Sequence, residues 1–135
     1  MKIVVIDGQG GRLGQLLVDG IKKAGIAADV FAIGTNSTAT AAMLKCGADH
    51  GATGENPVIV ACRDADVITG PIGILSADSL LGEITPAMAV AVGQSKAVKL
   101  LLPVNGCNNR VVGVQNLSMT ELVKETVDTL KGFCK

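Results

Sequence analysis

The chain has 135 residues, 48% of them apolar, and its 12 basic residues balance 12 acidic ones. That length makes one domain, 1–135, with room for a core that needs no staple. Zero net charge, no basic cluster beyond Lys22-Lys23, no Trp or Tyr and two Phe residues argue against nucleic acid or an anionic membrane as partner.

Every apolar run is shorter than the ~18 residues of a membrane helix. Met1-Lys2 leads directly into an apolar strand, so the expectation is a cytoplasmic protein with no signal peptide. Cys46, Cys62, Cys107 and Cys134 form no CxxC pair, and His50 is the one histidine. That pattern reads as reduced thiols without a metal site.

The first stretch, KIVVIDGQGGRLG, organises the rest. Ile3–Ile6 is a short branched apolar run, hence a buried strand. Glycines follow at once, and then Leu13, Leu16, Leu17, Ile21 and Ala24 recur at helical spacing. Strand, glycine turn and helix open a βαβ unit, whose helix start offers free N–H groups and a dipole to phosphate. GxGxxG fails because Leu13 stands at its third glycine. GxxGxxG fits at Gly8, Gly11 and Gly14, for the tight turn, the close approach of a pyrophosphate and close helix packing. The P-loop pattern fails, since Gln15-Leu16 replaces Lys-Ser/Thr.

GQGGRLGQLL resembles the glycine-rich loop of dihydrodipicolinate reductases, where a strand, GxGGRMG and a helix bind NAD(P)H. The resemblance covers residues 3–24 and implies the same use here. Across the chain, VVIDGQGG, IGTN, GATGEN, GPIGI and LGEITPAMA resemble an uncharacterised bacterial family, a domain of unknown function. That resemblance implies a small cytoplasmic protein and no particular activity.

The first helix should end near Ala24, with Gly25 as its left-handed C′ residue. The return strand is Asp29–Ile33. A NAD site would place an acid just after it, and a NADP site a cation; Gly34-Thr35-Asn36-Ser37-Thr38 supplies neither. Thr35 and Asn36 offer a hydroxyl and an amide to a ligand, or Asn36 or Ser37 caps the next helix, Thr38–Cys46. Gly47–Asn56 should hold a short edge strand at Ala48–His50, with His50 structural. Pro57 suits the first turn of a helix running through Val58, Ile59 and Cys62 to about Ala65.

Asp66–Thr69 reads as a second buried strand, leaving through Gly70-Pro71-Ile72-Gly73. In a doubly wound order it lies beside the first strand, so the two glycine-rich loops face one crevice. Thr85 and Pro86 start a helix to Gln94 that is apolar on nearly every side. Such a helix asks for burial. The expectation is a homodimer through this helix or Ile72–Leu81. Val98–Val104 and Arg110–Val114 should form an antiparallel hairpin around Asn105-Gly106, with Cys107 at its tip. Ser118 and Glu121 make a capping box for the last helix, Leu117 and Leu122 its staple, and Gly132 its end.

The expected fold is α/β: a three-layer, doubly wound, Rossmann-like, mainly parallel sheet of five to six strands, with a C-terminal antiparallel hairpin strand. The expected ligand is a nucleotide or dinucleotide, NAD(P) or another, with its phosphate on Gly8–Gly14. The candidate binding residues are Gly8, Gln9, Gly10, Gly11, Arg12, Gly14, Thr35, Asn36, Gly70, Pro71, Ile72 and Gly73. Asp7, Ser76, Asp78, Glu83, Asn105, Cys107 and Asn108 also carry chemistry near that edge. Asp7 should cap the turn through backbone N–H groups. Arg12 pairs a phosphate or is solvated, and Glu83 becomes an acid or base if its segment folds over the crevice. No acid–base–nucleophile set stands out. The alternatives are a non-catalytic module sensing an adenylate or coenzyme A, or a structural dimer domain.

Overall fold

The computed structural model describes residues 1–104 and 108–133. Five strands alternate with helices: β1 (Lys2–Asp7), α1 (Arg12–Lys23), β2 (Asp29–Gly34), α2 (Ser37–Lys45), β3 (His50–Thr53), α3 (Glu55–Cys62), β4 (Val67–Pro71), α4 (Pro86–Gln94), β5 (Val98–Leu102) and α5 (Met119–Phe133). A 3₁₀ turn, Ile72–Leu75, follows β4. The sheet order is β3-β2-β1-β4-β5 and every pairing is parallel. Among the described residues no helix is long and apolar enough to cross a membrane.

Handedness explains the layers. Parallel crossovers are right-handed, so two steps outward from β1 put α1 and α2 on one face. The return to β4 reverses direction and puts α3 and α4 on the other. Two cores follow. Ile3, Val5, Leu17, Ile21, Met43 and Leu130 fill the α1/α2/α5 side; Val4, Ile6, Ile68, Val58, Met88 and Val92 fill the α3/α4 side. β1, central and covered on both faces, has its Ile3, Val4, Val5 and Ile6 fully buried, which is why its apolar run is continuous. The strand order reverses between β1 and β4, and that is where such sheets leave a crevice.

Most end signals act as read. Gly25 takes φ 68° after α1 and donates to the Lys22 carbonyl. Asn36 Oδ1 caps α2 through the Ala39 N–H at 2.9 Å. Thr85 caps α4 with Pro86 at its first position. Ser118 and Glu121 exchange both bonds of the capping box.

Three expectations need correction. The edge strand begins at His50 rather than ending there, because its register is set by pairing Phe31–Gly34 with His50–Thr53. Pro57 does lie within the first turn of α3, where its missing N–H costs no helix bond, but that helix starts at Glu55 behind Gly54 and ends at Cys62 rather than about Ala65. Within the segment expected at an interface, Ile74 and Leu80 instead belong to the chain's own core. The chain itself covers one side of α4, burying Met88 and Val92, and leaves Val90 52% exposed.

The fifth strand has no antiparallel partner among the described residues. Residues 110–114 run as exposed turn and coil, with Val112 97% exposed. Gly113 turns at φ 86° and interrupts the extended run. Pro103, just after β5, has no N–H to offer a ladder. The expected turn Asn105-Gly106 and Cys107 lie outside the described residues.

Candidate functional site

The β1–α1 turn is held together from beneath by Asp7. This carboxylate is 6% exposed. Its two oxygens accept from the Gly8 N–H at 2.8 Å and the Gly14 N–H at 2.6 Å. Gly14 is the third residue of α1, so Asp7 does the work of an N-cap that Gly11, the residue at the cap position, cannot do. Burial pushes the Asp7 carboxyl above its ordinary range; the two N–H donors pull it back, and nearby Glu83 adds to the rise.

The glycines of the turn have different causes. A Cβ on Gly11 would stand 2.7 Å from the Ala39 Cα, at a residue with φ 75°. One on Gly14 would stand 2.6 Å from the Met43 Sδ and 2.8 Å from the Asp7 Cβ. Both glycines let α1 lie against α2 and β1. Gly8 has Thr35 Oγ1, Glu83 Oε1 and Leu80 Cδ1 within 3.0 Å of where its Cβ would be. Gly10 differs from all three. Nothing lies within 4 Å of its Cβ position, and its φ is not in the left-handed region.

Glu83 reaches the turn from residues 76–85, the connection into α4. Its Oε1 accepts from the Gln9 N–H at 2.8 Å, the Thr35 hydroxyl at 2.5 Å and the Asn36 side-chain amide at 2.9 Å. Asn36 also donates to the Gln9 carbonyl at 2.9 Å. Thr35 N–H donates to the Asp7 carbonyl at 3.0 Å. One carboxylate thus ties together the loops that follow β1 and β2. Partial burial pushes Glu83 upward, but the bonds from Thr35, Gln9 and Asn36 outweigh it and hold the carboxyl below its ordinary range.

The protein therefore engages the N–H groups of Gly8, Gln9, Gly11, Gly14 and Gln15 itself. Among the described residues no acceptor pairs with those of Gly10, Arg12 and Leu13. They stand at the positive end of α1, where Gly10 and Arg12 are exposed.

Gly70, Pro71, Ile72 and Gly73 do come beside this turn, since Val5 pairs with Thr69. Three of the four are buried. A Cβ on Gly70 would strike the Ile6 carbonyl oxygen, so that glycine serves the approach of β4 to β1. Gly73 offers its carbonyl to the Ser79 hydroxyl. Ile72 alone stays partly exposed and lines a cavity of about 560 Å³ beside Val104, Arg110 and Asn116. Elsewhere, His50 stacks on Phe31 and meets Asp29, at the end of the sheet away from the turn. Burial pushes the Cys62 thiol up to about 11, so it is a core side chain and not a nucleophile.

The sequence model of DUF3842, a domain of unknown function, matches residues 2–135. The chain belongs to that family. No curated protein gives a significant match. Among solved structures, a dodecameric FMN-dependent UbiX-like decarboxylase from Escherichia coli O157:H7 aligns with a TM-score of 0.45 and 14% identity, over 98% of this chain and 93% of that one.

Proposed function

We propose that this chain binds a nucleotide or dinucleotide, with a phosphate at the β1–α1 turn and the remainder running past Ile72 into the adjoining cavity. The observation that carries the reading is Gly10. Neither backbone conformation nor packing requires glycine there, and its N–H, like those of Arg12 and Leu13, has no acceptor among the described residues. A phosphate oxygen approaching that close is a reason to have no side chain. Arg12, at the first position of α1, supplies a cation to the same group. The turn sits at the point where strand order reverses. NAD(P), adenylates and coenzyme A share the phosphate this site would hold, and both the enzymatic and the sensing alternatives begin with that step.

The test is a thermal-shift series with NAD, NADP, ADP, coenzyme A and inorganic phosphate. A true ligand at a hundred times its Kd stabilises by about 2.7 kcal/mol. Gly10→Asp should abolish that shift while leaving the unliganded melting point nearly unchanged. A shift that survives Gly10→Asp places the ligand elsewhere.

We also propose self-association through the α3/α4 face, where Val60 is 46% and Val90 is 52% exposed. Neither helix carries a charged residue between Val58 and Cys62 or between Pro86 and Gln94. Light scattering should give a multiple of 13.7 kDa, and Val90→Lys should reduce it to that mass. A wild-type protein of monomeric mass refutes the assembly.

A further inference from the structure

The ligand proposed above would meet a carboxylate already in place. We propose that Glu83 is a built-in competitor: its carboxylate takes the three donors that border the bare N–H groups of the β1–α1 turn, and an anionic ligand group that engages the whole turn must displace it. This inference rests on the reading of that turn as a phosphate site and concerns how the site is controlled.

The seat is a set of three donors from two loops, the Gln9 N–H from one and the Thr35 hydroxyl and Asn36 amide from the other, all bonded to one oxygen. Converging neutral donors are what an anion needs. Within the protein, a carboxylate from distant sequence fills them. Its fit depends on Gly8, because a Cβ there would lie 2.8 Å from the Glu83 oxygen.

The segment that carries Glu83 is under backbone tension. Asp78, Leu80 and Leu81 take φ of 67°, 55° and 56°, and Gly82 takes 88°. Left-handed conformations are unfavourable for non-glycine residues and persist where the surroundings enforce them. Leu80 and Ile84 are buried on either side of Glu83, and the Asp78 N–H donates to the Ile84 carbonyl. Those anchors hold the flanks. The Leu81 side chain is 96% exposed, and the tip is held by backbone bonds alone, from the Gly82 N–H to the Asp78 and Ser79 carbonyls and from the Glu83 N–H to the Leu80 carbonyl. Rotation about the side-chain torsions of Glu83 can release the carboxylate to solvent while those bonds and the core stay intact. Asp7 lies behind the turn and raises the cost of adding a further negative charge while Glu83 remains.

The experiment is a titration of the wild type, Glu83→Gln and Glu83→Ala with inorganic phosphate and with ADP, read from the amide shifts of Gln9, Gly10 and Leu13. Removing a like charge in contact with the incoming anion should tighten both ligands by about tenfold or more in each variant. In the wild type, the Glu83 carboxyl carbon should shift to its solvated value as the ligand saturates. Equal affinity in all three proteins, with Gly10 still perturbed, leaves the phosphate site standing and overturns the competitor. No perturbation of the turn in any of them overturns the phosphate site and the competitor with it. Melting curves of the two variants establish that each is folded before titration. The carboxyl-carbon readout needs no substitution at all.

Discussion

Thr69 lies in the middle of β4 with no exposed surface, and its hydroxyl has no hydrogen-bond partner among the described residues. It faces the α1/α5 side, paired laterally with Val5 and Leu100. A buried hydroxyl left unpaired costs about 1–3 kcal/mol, because it gave up water and gained nothing. Thr69→Val keeps the branched shape and replaces that oxygen with a methyl group. We expect it to stabilise by about 1–2 kcal/mol. Unfolding entropy near 2 cal/mol/K per residue gives roughly 0.3 kcal/mol per kelvin for a chain of this size, so Tm should rise by about 3–7 °C. Urea unfolding should show a higher midpoint at unchanged slope. Thr40→Val is the control. That hydroxyl is also buried, but it meets the Asn36 carbonyl, the Ala52 carbonyl and the Thr53 hydroxyl, at 3.2, 3.3 and 2.7 Å. The same substitution there should destabilise by about 1–2 kcal/mol. A Thr69→Val protein that melts at or below the wild type would refute the orphan assignment.

Gly11→Ala should cost about 2–5 kcal/mol, from its left-handed φ and the collision with Ala39, whereas Gly10→Ala should stay within about 1 kcal/mol of the wild type. Urea unfolding of both decides it; equal losses would mean that Gly10 is structural after all. The pH dependence separates the two carboxylates. Glu83 has its folded value below the unfolded 4.5, so its contribution is complete above that pH and fades as pH falls through the folded value. Asp7 is raised above 3.8, so its contribution is complete below that pH and is lost as pH rises through the folded value. The stability gap between wild type and Glu83→Gln should therefore narrow on acidification from neutrality to below 4.5. A gap independent of pH would show that the Glu83 bonds do not depend on its charge.

The parts of the fold that were legible are those written in local pattern. β1 announced itself by a run too apolar to face water, α1 and α5 by spacing, α2, α4 and α5 by their caps. The neighbourhood of β1 and β4 followed from the doubly wound order once the alternation was read. The C-terminal pairing was not legible. RVVGV has strand composition, but pairing also needs an extended backbone throughout, and Gly113 breaks it. The edge strand was misplaced because its register comes from β2, nineteen residues away, and not from its own sequence.

The glycine turn shows why a motif locates a site more readily than it explains one. Its spacing selected Gly8, Gly11 and Gly14, and each of these turns out to answer to a neighbour inside the protein: Glu83, Ala39 and Met43. The residue left over, Gly10, is the one the spacing passed by. A pattern of glycines records wherever a side chain cannot fit, and helix packing, a protein carboxylate and a ligand all write the same letter. Only the surroundings of each Cβ position separate them. Glu83 was placed near that edge by its sequence position, but its partners were hidden, because no local signal says that a carboxylate 74 positions away will return to the Gln9 N–H. The loop after β2 carries no acid of its own, and a carboxylate from the connection into α4 reaches its Thr35 hydroxyl and Asn36 amide instead.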